Sequence, residues 1–139
     1  MVSLPIIKKK INAVQHHLAR IHSRRPASLD EFLNDDDLKD IITHNLFVML
    51  QNVIDIGTHL IADAGWAEPD YLAEIPEILR QEKVIPEGLT GPLKAMIGLR
   101  NLIAHEYGVL DYRIIYRIVS EDLGDIQCFL KAIIEYCRL

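Results

Sequence analysis

Aromatic side chains are scarce in this chain: three Phe, five Tyr and one Trp among 139 residues. Half of the residues are nonetheless apolar. The core must therefore be built from Leu, Ile, Val and Ala, which suits helices packed on helices. There are only two cysteines, Cys128 and Cys137, nine positions apart near the C-terminus. That spacing fits neither a disulfide framework nor a metal-ligand set, and it points to a reduced, cytoplasmic setting. No apolar run approaches the ~18 residues of a membrane span, and Met1-Val2-Ser3-Leu4-Pro5 lacks a secretory apolar region. Gly-rich phosphate loops, HExxH pairs and nucleophile elbows are missing. So are strand-like alternation, internal repeats and low-complexity tracts. The length predicts a single domain over residues 1–139.

Acid is lacking from the N-terminal region. Residues 1–27 hold Lys8, Lys9, Lys10, Arg20, Arg24 and Arg25 and no Asp or Glu, whereas the whole chain carries a net charge of -5. The remaining residues thus hold nine bases against twenty acids. The net charge argues against generic nucleic-acid binding, but charge segregated this way still presents one basic surface. A solvated first helix is the plainer reading of the same pattern.

What is present is helical periodicity. Ile6, Ile7, Ile11, Val14, Leu18 and Ile21 recur three and four apart, which predicts a helix over 5–23 with Pro5 in its first turn. His16, His17 and His22 have no third ligand at helical spacing and read as solvated surface residues rather than a metal site. After Arg24-Arg25-Pro26, Ser28 and Glu31 form a capping-box pattern, with Phe32 and Leu33 pinning that turn to the core. Asn34-Asp35-Asp36-Asp37 puts negative charge at the start of the next helix, where it is favourable. The tract lacks the ligand alternation and central Gly of a calcium loop.

The longest helix is predicted from about Asp37 to Ala64. Ile42, Leu46, Met49, Val53, Ile56 and Leu60 form a heptad-like seam, widened by Ile41, Phe47, Leu50, Ile54 and Ile61. A helix apolar over so much of its circumference is expected to be buried on more than one side, against its own core and a second copy. Its polar stripe holds His44, Gln51, Asn52, Asp55, Thr58 and His59. Asp55, between two Ile, is either an outward carboxylate or a partner that orients a functional group, because burying it alone is costly. A helix over 71–82 follows, capped by Asp70 and interrupted by Pro76. Another starts near Pro86, and the last follows Asp111 with a bend at Gly124. The sum is an all-α, compact up-and-down bundle of about five helices, expected to be homodimeric.

The densest polar group in an apolar run is Arg100-Asn101-Leu102-Ile103-Ala104-His105-Glu106-Tyr107. It offers a cationic fork, an imidazole that titrates near neutrality and a phenol within eight residues. Gly108 is the predicted helix stop. On a straight helix, residues five apart lie about 140° apart around the axis. Arg100 and His105 therefore do not share a face, whereas Asn101 and His105 do. For Arg100 and His105 to act together, the helix must unwind near Ala104 or a second subunit must complete the pair. A twofold dimer with these helices meeting near the axis satisfies the second condition.

Arg100, four residues, His105, one residue, Tyr107, with Asn101 directly after the Arg, resembles the signature of the HepT-like group of HEPN domains. The chain length, the helical pattern, the Val53–Gly57 run in the long helix and the amphipathic tail are similar too. The resemblance implies a toxin of a two-component toxin–antitoxin module, acting as a metal-independent ribonuclease with no cofactor. It further implies a nucleotidyltransferase antitoxin of the MntA type that adds AMP to Tyr107, and transfer RNA as the substrate class. Arg100 and His105 would then be catalytic, with Asn101 and Asp55 in support.

The residue types suit that chemistry. RNA is cut without a metal when its 2′-hydroxyl attacks the adjacent phosphate. His105 can move the protons, a role that typically gives ~10²–10⁴-fold. Arg100 can grip the phosphate as charge builds. Two other readings fit the same residues: a non-catalytic helical dimer that holds a nucleotide or the nucleotidyltransferase, and an assembly protein whose task is dimerisation.

Overall fold

A computed structural model describes residues 3–139, apart from the side chain of Tyr107. All regular structure among the described residues is helical. The first helix, α1 (Leu4–Ser23), buries Ile7, Ile11, Val14, Leu18 and Ile21 as one stripe. Ile6 is 40 % exposed rather than inward, because it falls around the axis from that stripe. A short α2 (Leu29–Asn34) follows, where Ser28 Oγ accepts from Glu31 N at 3.1 Å. The Glu31 carboxylate accepts from Ala27 N at 3.3 Å, one residue earlier than a capping box predicts. Phe32 is fully buried, 6.0 Å edge-on from the Tyr112 ring.

The centre of the bundle is α3 (Asp36–Ala64). Asp35 caps it by accepting from Leu38 N, and Gly65 ends it in the left-handed region at φ 72, a conformation glycine adopts without Cβ strain. One flank packs on α1 along its length. The other meets α4 (Ile75–Gln81) and α5 (Thr90–His105). Its seam residues Ile42, Leu46, Met49, Ile56 and Leu60 are fully buried, and Leu50, Ile54 and Ile61 nearly so. Each buried aliphatic side chain contributes about 1.5–3 kcal/mol. Most of the predicted apolar belt is thus absorbed by the chain's own core; Ile41 and Phe47 remain half-buried.

The segment predicted as one helix over 71–82 is a single 3-10 turn (Leu72–Glu74) followed by α4. Pro76 lies in the first turn of α4, where a missing N–H costs nothing. Asp70 does not cap; its backbone N–H donates to Glu74 Oε2, and Tyr71, expected inward, is 67 % exposed. At the other end, α6 (Tyr112–Arg117) runs through a wider π turn (Ile118–Asp122) into α7 (Leu123–Cys137). The irregularity thus precedes Gly124. Asp111 caps α6 as expected, but Ile114 faces outward at 38 % exposure. The bundle is all-α, as the periodicity predicts.

Two contacts set where α4 and α5 lie. Gly57 on α3 sits directly under the Ile75 side chain, so that a Cβ there would collide with Ile75 Cγ2. Gly57→Ala is therefore expected to destabilise by about 1–3 kcal/mol through overpacking, outweighing the ~1 kcal/mol helix-propensity gain. Gly124→Ala, with nothing within 4 Å of the new methyl group, is expected to be neutral or to stabilise by up to ~1 kcal/mol. Urea melts followed by far-ultraviolet dichroism check both.

The second contact is Glu77 on α4, bound by Lys94 of α5 at 2.9 Å and Arg80 at 3.1 Å. Lys94 first, then Arg80, hold its carboxyl below the ordinary value of 4.5. A depressed carboxylate pKa stabilises the fold above the unfolded value, and that contribution disappears as pH falls through the folded one. The stability difference between wild type and Glu77→Gln is thus expected to be present at neutral pH and to vanish as pH falls from the ordinary carboxylate value through the lowered folded one. Thermal melts across pH read it directly.

Candidate active site

The last turns of α5 carry the polar group, and α3 faces it. Arg100 is half-buried, its guanidinium 5.5 Å from the centre of the Phe47 ring. Its Nε and Nη2 both donate to Gln51 Oε1, at 2.9 and 2.5 Å, and Nη1 donates to Asn101 Oδ1 at 3.0 Å. Gln51 in turn donates from Nε2 to Asp55 Oδ1 at 2.9 Å, and Lys10 of α1 closes the row on Asp55 Oδ2 at 3.0 Å. The amide orientation of Gln51 is forced: a guanidinium only donates and a carboxylate only accepts. This row crosses the outer face of α3 from α1 to α5. It fixes the fork while leaving two of its five N–H groups uncommitted.

The structure shows what the two supporting residues touch. Asp55 contacts neither Arg100 nor His105; it reaches Arg100 through Gln51. Asn101, which shares a helix face with His105, instead accepts from the neighbouring Arg100. His105 is exposed and is the last residue of α5. The helix does not unwind near Ala104, since Glu106 N still donates to Leu102 O at 2.8 Å. It stops at His105, three residues before Gly108, and a single 3-10 turn (Tyr107–Val109) follows. Arg100 and His105 therefore keep the angular separation of a regular helix. The side chain of Tyr107 lies outside the described residues.

Beside Arg100, a hollow of about 370 Å³ is lined by His44, Phe47, Ile103 and Ala104. On the other flank of α5, Leu102, Val109 and Ile114 are exposed by 46 %, 76 % and 38 % around a shallow apolar cleft. Gln51 and His44 were visible in the sequence only as members of the polar stripe. The available signal for Gln51 was its i,i+4 spacing to Asp55, at which Gln–Asp bonds form. His17 is not simply solvated, because its Nδ1 lies 2.8 Å from Asn45 Oδ1. Among the described residues, no three His, Cys, Asp or Glu side chains group so as to hold a metal ion, and no helix is long and apolar enough to cross a membrane.

Comparison with known proteins places this geometry. The mRNA nuclease HepT of Shewanella oneidensis is 29 % identical over 128 residues, covering 92 % of this chain and 96 % of that protein. The tRNA nuclease HepT of Aphanizomenon flos-aquae is 25 % identical over 133 residues, covering 94 % and 89 %. Among solved structures, the tri-AMPylated Shewanella oneidensis HEPN toxin in complex with MNT antitoxin superposes with a TM-score of 0.84. It is 29 % identical, over 92 % of this chain and 96 % of that one. A sequence profile described as ribonuclease HepT-like matches residues 14–133. With that match spanning both the α3 face and the Arg100–His105 helix, the chain belongs to the ribonuclease HepT-like family.

Proposed function

We propose that this protein is the ribonuclease toxin of a toxin–antitoxin pair, cutting RNA at a cleft built from Arg100 and His105. The observation that carries the reading is the immobilised Arg100 fork beside a hollow, with an exposed imidazole five residues on. In the proposed step, the 2′-oxygen of the RNA forms a bond to the adjacent phosphorus, and the bond to the 5′-oxygen breaks. The 2′ proton passes to His105, and the leaving 5′-oxygen takes up a proton from water. Arg100 holds the phosphate oxygens as charge accumulates, and no metal takes part. The named substrates of two relatives differ, mRNA in one and tRNA in the other; transfer RNA is the class favoured here.

The unbroken helix bears on assembly. Because α5 stays regular through His105, one copy's Arg100 and His105 point about 140° apart. A twofold dimer that crosses α5 near the exposed Ala104 sets the Arg100 of each chain toward the His105 of the other. Control is assigned to Tyr107, two residues after His105. Each AMP added there brings phosphate charge and bulk to the mouth of a site that must accept a polyanion. A nucleotidyltransferase partner, such as the MNT antitoxin bound to the Shewanella oneidensis toxin, supplies the modification. The alternative reading, a non-catalytic dimer that holds a nucleotide or such a partner, draws on the acidic net charge of -5.

Purified protein free of AMP is expected to cut tRNA in the presence of EDTA, and Arg100→Ala and His105→Ala are each expected to abolish cutting while the fold persists. Co-refolding the two inactive variants is expected to restore about a quarter of wild-type activity: half of the dimers are mixed, and each mixed dimer has one complete composite cleft of two. No recovery on mixing places both groups in one chain. An inert wild type that still binds ATP or a nucleotidyltransferase supports the non-catalytic reading instead.

Gln51→Leu removes the acceptor shared by two Arg100 nitrogens. It is expected to lower kcat/KM for RNA about tenfold, the size of one lost charged hydrogen bond, and Gln51→Glu is expected to lower it too, because its carboxylate offsets the guanidinium charge and faces Asp55 without a donor. A fall in thermal stability without a kinetic change in either variant sinks the positioning role.

A further inference from the structure

A second polar node lies on the other side of α3, at its seam with α1. Asn45 is buried at 2 % exposure and donates from Nδ2 to Ile41 O at 2.8 Å. Its Oδ1 therefore faces α1 and accepts twice, from Arg20 Nε at 3.1 Å and from His17 Nδ1 at 2.8 Å. The pairing fixes the imidazole: since Oδ1 only accepts, His17 must carry its proton on Nδ1, leaving Nε2 as the outer ring nitrogen. It also fixes the guanidinium by its inner nitrogen. Among the described residues both terminal nitrogens of Arg20 make no hydrogen bond, and Arg20 is exposed. One buried acceptor thus holds a cationic fork and an imidazole side by side at the surface.

On α1 the surroundings are cationic, whereas across the seam the first turns of α3 carry Asp36, Asp37 and Asp40. Lys8, Lys9, Arg24 and Arg25 on and after α1 are exposed, and residues 1–27 contain no acid. Lys10, on the same stripe of α1, is bound to Asp55 and so belongs to the row that positions Arg100. Asn45 precedes Gln51 by six residues, or about 9 Å along α3. The node and Arg100 therefore flank one outer face of the same helix.

We infer that Arg20 and His17, set by Asn45, form a binding site for a backbone phosphate of the RNA strand whose cleavage is proposed at Arg100. The inference rests on that proposed activity for its ligand. A planar fork with two free terminal nitrogens matches phosphate oxygens, and the acid-free α1 suits a polyanion better than it suits a protein surface of mixed charge. A strand held there crosses α3 over Val48 and His44 to reach the Arg100 hollow. Phosphate contacts of this kind fix register without reading sequence.

The test uses full-length His105→Ala protein, which separates binding from cutting, and fluorescein-labelled bulk tRNA followed by anisotropy across a salt series. Adding Arg20→Ala, or Arg20→Met to keep the packed stem, is expected to raise Kd about tenfold and to flatten the log Kd–log salt slope by about one. Lys131→Ala serves as the charge-matched control on the opposite flank of α1, and is expected to change neither. Equal effects in Arg20 and Lys131 variants, or no effect of Arg20, overturn the site. So does an Arg20 effect confined to capture of a nucleotidyltransferase. Cleavage by the otherwise wild-type chain is measured in parallel, so loss of the ribonuclease reading and loss of this site are separate results.

Discussion

One unbroken stretch of helix governs how this protein can work. The backbone of α5 keeps its hydrogen bonding through His105, and regular helix turns 100° per residue. Side chains five apart on such a helix cannot close on one small group. Arg100 reaches inward over Phe47 to α3, whereas His105 stands at the solvent end of α5. If both act on one phosphodiester, the missing half comes from elsewhere, and a symmetric copy is the simplest source. The regularity of the helix thereby becomes an argument about quaternary structure.

The same economy shapes α3, whose inner arc is committed to the core while its outer arc distributes polar groups. Gln51 and Asp55 carry Arg100 on one side, and Asn45 carries Arg20 and His17 on the other. In each case an amide does the holding, and for a common reason. An amide offers an acceptor and a donor in one rigid plane, so it can bind a cation outward and anchor itself by its other end. Gln51 anchors to a carboxylate and Asn45 to a backbone carbonyl. A carboxylate in either place would neutralise the cation it held and weaken its grip on an anion.

Helix periodicity made most of the bundle legible in advance. The α1 stripe and the α3 seam are buried as their spacing requires, and the Ser28 and Asp111 caps bond as their residue types require. Where the reading failed, competing local chemistry was the cause. Pro76 starts a helix instead of interrupting one; Ile6 and Ile114 face solvent because a few tens of degrees separate core from surface on a helix, and Tyr71 does because it lies in extended backbone ahead of the 3-10 turn. At the site, the Arg100–His105–Tyr107 spacing could be read directly, since those residues are contiguous. Gln51 and Asn45 could not be assigned partners, because those partners lie 49 and 25 positions away in sequence. Asp55 was picked out for its apolar neighbours, yet nothing local indicated that Gln51 would stand between it and Arg100.

The acidic total remains to be reconciled with a polyanionic substrate. Electrostatic interaction between exposed charges falls off over a Debye length of about 8 Å at physiological salt. A phosphate at the α1–α3 seam is therefore governed by the groups within a turn or two of it, which are Arg20, His17 and the cations of α1 on one wall and Asp40 of α3 on the other. The excess acid of residues 28–139 acts mainly at longer range, where it lowers the affinity of RNA for the rest of the surface. Under the proposed site, such a distribution favours a strand along one face over the rest of the surface. If RNA is the substrate, a cationic strip on an acidic body restricts where a strand can lie more than a uniformly basic surface would.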